Sequence, residues 1–201
     1  VFVGHALSVA AGYGAILAWL TASTVLLQWV YHIPVIHVGW FYFIPASGFF
    51  IGTTLNRLLL KRQSTDDNIQ YGILIQAVTS SVIVLISLMA QDHPIILAGC
   101  ILIHFIGMPL IIPNSFTGIH PYFTDSSGTF NAALGACRLM GGAIFSAIMA
   151  LLPQHSPLPL ACLLWLSVMI SQFGLTFARG AKASMPLPKD TESTPPIMPV
   201  E

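Results

Sequence analysis

Six long apolar runs decide what this chain can become. They cover residues 3–27, 38–60, 69–89, 95–116, 128–152 and 158–177, and each holds 20 residues or more. A helix of about 20 residues crosses a hydrocarbon core about 30 Å thick. The runs are continuous and do not alternate apolar with polar at period two, so transmembrane strands are not expected. Charged residues make up 7% of the 201 residues, against about 25% in an ordinary soluble domain. Seven basic and seven acidic side chains cannot solvate a globule of this size. The expected class is an all-α integral membrane protein with six transmembrane helices. Its formal net charge of zero offers nothing to a nucleic acid.

The joins fix the expected topology. YHIPVIH, QDHP and PQHSP are short, and KRQSTDDN and GIHPYFTDSS are longer. Arg57, Lys61 and Arg62 follow the second run, and Arg179, Lys182 and Lys189 follow the sixth, whereas 30–37, 91–93 and 153–157 contain no Lys or Arg. The positive-inside rule makes the basic side cytoplasmic, with both termini on it. Trp29, Tyr31 and Trp40 then form an aromatic belt at the opposite interface. The expected organisation is a six-helix bundle over 1–178 and a disordered cytoplasmic tail over 179–201, rich in Pro, Ser, Thr and charge. Cys100, Cys137 and Cys162 lie inside apolar runs without a CxxC spacing, so neither a disulfide nor a metal is expected of them.

Two small-residue patterns suit close helix packing, or a face toward a cavity. One is Gly4, Ser8, Ala11, Ala15, Ala18 and Ala22 in the first run, and the other is Gly48-x-x-x-Gly52 in the second. The fourth run contains Pro109 and Pro113, each of which removes a backbone donor, so a kink or break is expected toward its cytoplasmic half.

The fifth run holds the feature hardest to reconcile with lipid. Arg138 has no Asp or Glu within ten residues on either side. Gly128, Asn131, Gly135, Arg138, Gly142 and Ser146 recur at spacings of three or four, which places them on one helical face. Phe130, Leu134, Ile144 and Ile148 fall elsewhere and are expected to meet lipid. Ten residues from Gly128 correspond to about 15 Å of rise, close to mid-membrane. An arginine at that depth costs on the order of 3 kcal/mol to insert. All seven acids lie outside the runs, so Arg138 is expected at a cavity or helix interface. Its partner there would be backbone carbonyls near the prolines, water, an anionic substrate group, or an acid on protein outside this chain. His104 lies mid-run in the fourth span, beside Phe105 and Met108. It is either hydrogen-bonded to a neighbour or a proton relay. No His/Asp/Glu cluster or Ser–His pair lies within the runs, so an enzyme is not expected, and neither a cofactor nor a bound metal is.

Some of these residues resemble a known family. PNSFTGIHPYFTDSSGTFNAALGACRLMGGAIFSAIMALLP, residues 113–153, resembles the C-terminal half of drug/proton antiporters of the Bcr/CflA type in the major facilitator superfamily. The resemblance lies in Pro113 and Asn114, Pro121 and Tyr122, and Gly128 and Thr129. GTTLNRLLLKR resembles the weaker copy of the superfamily's cytoplasmic loop motif, through Gly52, Asn56, Arg57, Lys61 and Arg62. Asn56 stands where the motif has an acid, and the internal glycine is missing. The resemblance implies that the six spans correspond to helices seven to twelve of that fold. Spans one, two, four and five would line a central cavity, with three and six behind them.

It also implies half of a proton-coupled multidrug efflux transporter, in the bacterial inner membrane, that works by alternating access against a missing N-terminal six-helix half. Drug-like or amphiphilic small molecules would be the substrates and protons the coupling ion. The expected cavity residues are Arg138, Asn131, His104, Tyr13, Trp19, Tyr42, Phe105 and Met108. A chain starting at Val1 with half the helices is expected to be a fragment, a split gene product or the product of a decayed gene. The alternatives are a major facilitator carrier of an anionic metabolite, with Arg138 as its anchor, and a non-transporting membrane scaffold or inactive fragment.

Overall fold

A computed structural model describes residues 1–89, 93–122 and 127–184. The six runs fold as six helices: α1 (Phe2–Val25), α2 (Val35–Leu59), α3 (Thr65–Leu88), α4 (Pro94–Thr117), α5 (Ser127–Leu151) and α6 (Leu158–Ala183). Each is long and apolar enough to cross a membrane.

The helix ends lie where capping chemistry puts them rather than where hydropathy stops. Helix α3 starts at Thr65 because Ser64 caps it: the Ser64 hydroxyl accepts the Asp67 amide at 3.2 Å. Asp66 and Asp67 in the first turn complement the helix dipole. Helix α6 continues to Ala183, past the expected boundary at 178, so Arg179 and Lys182 belong to a helix rather than to a tail. Residues 185–201 of the expected tail lie outside the described residues. At the other end of the bundle α1 runs into a π turn, Leu26–Val30. The chain reverses at His32, whose φ of 51° is left-handed, and α2 begins directly after Pro34.

Helix α4 is continuous through Pro109 and Pro113, so the expected break is not present. It is packed between α2, α3 and α1, and close neighbours are what let a membrane helix tolerate proline. Near its C-terminal end the Asn114 amide donates to the Leu110 carbonyl at 2.8 Å, and the Thr117 hydroxyl to the Pro113 carbonyl at 3.0 Å.

The helices form two layers. Helices α2, α4, α1 and α5 make a row in that order, and α3 and α6 pack together behind α4 and α1. This is the grouping the resemblance implies. The ends of the row are the least covered: 22% of the α2 span and 28% of the α5 span are buried, against 61% for α4 and 56% for α1.

Both small-residue patterns act in packing. A Cβ on Gly48 or Gly52 would run into the Leu102 or Ile106 carbonyl of α4, so α2 and α4 meet backbone to backbone. Gly4 meets the Gly174 carbonyl in the same way, and the Ser8 hydroxyl donates to the Ser171 carbonyl at 3.2 Å, which ties α1 to α6. Ala11, Ala15, Ala18 and Ala22 are all buried. The main hydrophobic core gathers Trp19, Phe105, Met108, Phe145, Met149 and Leu164 from α1, α4, α5 and α6.

Candidate functional site

Parallel helices α1 and α5 meet in three rungs four residues apart. Tyr13 lies under Arg138, Leu17 and Tyr13 against Gly142, and Thr21 opposite Ser146. The constant offset of 125 residues follows from the i, i+4 repeat on both helices. The Arg138 guanidinium carbon stands 4.9 Å from the centroid of the Tyr13 ring, a cation–π contact. At the top rung the Thr21 and Ser146 hydroxyls bond each other at 2.7 Å, and Thr21 also donates to the Leu17 carbonyl. Those hydroxyls are therefore engaged away from the arginine.

Arg138 is half-buried and sits one residue from 139, the midpoint of α5. Its Nε is buried without a hydrogen-bond partner, and no ion pair to it is found among the described residues. The backbone carbonyls near Pro109 and Pro113 do not supply one. Toward the N-terminal end of α5 the same face opens: Asn131 is exposed, and no neighbouring element lies within 4 Å of a Cβ built on Gly128 or Gly135. One correction concerns the lipid face. Leu134 is fully buried against Val1, Ala6 and Ile119, because α1 covers α5 over a wider arc than a single polar stripe.

The other expected cavity residues divide. Tyr42 is half-buried where α2 meets α1, its hydroxyl 3.0 Å from Ser23 Oγ and 3.1 Å from Thr24 Oγ1. Trp19, Phe105 and Met108 are packed in the main core, with Phe105 the most exposed at 8%. They present no open wall in this conformation. His104 is fully buried between α3 and α4, its Nδ1 3.2 Å from the Thr79 hydroxyl. Its hydrogen-bond partner is thus on α3, and it takes no part in the Tyr13–Arg138 seam.

The loop motif also divides. Gly52 packs against α4, Arg57, Lys61 and Arg62 are exposed, and Asn56 is buried. Asn56 Oδ1 accepts from the Asn68 amide at 3.0 Å and from the Asn114 amide at 2.6 Å. The acceptor that the motif supplies as a carboxylate is here an amide oxygen, and it joins α2, α3 and α4. Beside it, Lys182 reaches both Asp66 oxygens at 2.7 and 2.9 Å. Arg179 donates to the Asp66 carbonyl at 2.9 Å and stands 3.5 Å from the Asp67 carboxylate. These contacts close α6 onto α3 at the basic end of the bundle. Sequence reasoning missed Asn68 and the Asp66–Lys182 pair. The available signal was a set of polar residues at the same end of three successive spans.

Six spanning helices in a two-layer bundle, with a cation on one end helix of the row, define a multi-pass membrane protein. The chain is similar to a bicyclomycin resistance protein homolog of Haemophilus influenzae, 20% identical over 176 residues. The match covers 87% of this chain and 44% of that protein, so the chain spans less than half the length of this relative. No family model matches the chain, and no solved structure does.

Proposed function

We propose that this bundle is the C-terminal half of a proton-coupled drug exporter of the major facilitator kind, located in a bacterial inner membrane with its C-terminus in the cytoplasm. The observation that carries this reading is the match to a drug-resistance protein along nearly the whole chain but less than half of the relative. The lightly covered ends of the row, α2 and α5, support it, since a second half needs exposed flanks to close on. In this reading the two halves rock about a midplane site and open it to each side in turn. The polar contribution of this half is the Tyr13–Arg138 seam with Asn131, and Tyr42 lies at its outer end. The Asn56 and Asp66–Lys182 contacts hold the cytoplasmic end of the bundle together as it moves.

The test is dye export from an efflux-deficient bacterium. The chain is expressed alone, and together with the part of the matched relative that lies outside the matched region. Energised cells with both parts are expected to accumulate less of at least one of a cationic, a neutral and an anionic dye than vector controls, and a protonophore is expected to erase the difference. Equal accumulation in all strains, with both parts present in the membrane, refutes the reading. Export that persists in the protonophore refutes proton coupling alone.

A further inference from the structure

The export reading leaves the chemistry of the cargo open, and the surroundings of Arg138 restrict it. The side chain stems from the middle of α5, its Nε is buried without a partner, and its guanidinium carbon is held 4.9 Å above the Tyr13 ring centroid. Stacking on one face of the guanidinium leaves its edge, where the N–H donors lie, as the direction in which a ligand binds. The hydroxyls nearest along the seam, Thr21 and Ser146, are bonded to each other. The acids described within the six helices are Asp66 and Asp67 at the start of α3, and both are engaged by Lys182 and Arg179. An arginine keeps its charge at every physiological pH, so loss of a proton cannot relieve the site, and an oxyanion would supply both the counter-charge and the missing acceptors. On the same face a Cβ built on Gly135, one turn from Arg138, or on Gly128 meets no neighbouring element within 4 Å, so the approach along that face is uncovered.

We propose, on the strength of the export reading, that the seam takes an amphiphile with an anionic head, a carboxylate, sulfonate or phosphate. The guanidinium edge receives the head, and the apolar body lies along the row of helices. The geometry suits a bidentate oxyanion, because two parallel N–H bonds match the fork of an arginine and not the point charge of a lysine. A cationic drug would place two like charges together at low dielectric, which is strongly unfavourable.

The test measures binding to the purified chain in nanodiscs of zwitterionic lipid, with two fluorescent probes of nearly equal shape. Anilinonaphthalene sulfonate carries the anionic head, and phenylnaphthylamine lacks it. The wild type is expected to bind the sulfonate at least about tenfold more tightly than Arg138→Gln does, as loss of a charge-assisted pair requires. Arg138→Lys is expected to fall between them, and the neutral probe to bind all three alike. The sulfonate should also slow modification of Arg138 by phenylglyoxal. Equal sulfonate binding by wild type and Arg138→Gln overturns the proposal, as does a parallel loss of the neutral probe. Arg138 that the sulfonate leaves unprotected, but that becomes protected when the second half is assembled, assigns the counter-charge to protein and also overturns it. Export by the assembled halves is scored for dyes of every charge, so its failure and the failure of this proposal are distinguishable.

Discussion

Glycines of a single helix should respond oppositely to the same substitution. Gly39 and Gly48 both lie in α2, but a Cβ on Gly39 meets nothing within 4 Å, whereas one on Gly48 falls inside 3.0 Å of the Leu102 carbonyl carbon's oxygen. The obstacle at Gly48 is backbone, so no side chain can rotate away and the helices must separate. Overpacking of this kind costs about 3 kcal/mol, the upper part of its usual range. Alanine returns about 1 kcal/mol of helix propensity, which leaves Gly48→Ala destabilised by about 2 kcal/mol. Gly52→Ala, against the Ile106 carbonyl, should match it. Gly39→Ala and Gly99→Ala, both in open surroundings, keep only the propensity gain and should be neutral or stabilised by up to about 1 kcal/mol. The assay is thermal unfolding of purified chain in one detergent, followed by helical circular dichroism. If Gly48→Ala and Gly52→Ala melt with Gly39→Ala, the backbone-to-backbone seam between α2 and α4 is wrong.

Three further outcomes are expected. Asn56→Leu strips the acceptor from two buried amides and should cost about 2–4 kcal/mol; Asn56→Asp keeps an acceptor for both and should melt above it in the same assay. Lys182→Ala should destabilise by about 1 kcal/mol, the value of a good partly exposed pair, and the exchange Asp66→Lys with Lys182→Asp should restore part of the loss in a double-mutant cycle. With the native cysteines replaced, Thr21→Cys with Ser146→Cys should oxidise to a cross-link seen by gel mobility, whereas Thr21→Cys with Leu139→Cys, on the exposed side of α5, should not.

The helices were legible because membrane burial demands long apolar runs, and the small-residue patterns were legible because close approach leaves no room for a side chain. Hydropathy could not place the ends: Thr65 and Ala183 bound helices through a serine cap and through charges that no apolar count includes. The polar stripe of α5 meets α1 at Arg138, Gly142 and Ser146, yet Leu134 is buried beside it, since the width of the arc covered depends on how two helices cross. Aromatic character misled for a related reason. Trp19 and Phe105 look like cavity walls in sequence, but a large apolar ring fills a core just as well, and burial among α1, α4 and α5 is decided by partners far along the chain. The three-way Asn56 bond was out of reach because it joins residues 12 and 58 positions apart.

Helix α5 is fastened along one edge, to α1, and only touches α6. Helix α2, at the other end of the row, is bound backbone to backbone with α4 and cannot shift without carrying it. Yet α5 is bound to α1 in the same manner, since a Cβ on Gly141 would run into the Ala10 carbonyl. Each flank is thus welded to one inner helix, and Arg138 cannot be displaced without taking α1 along.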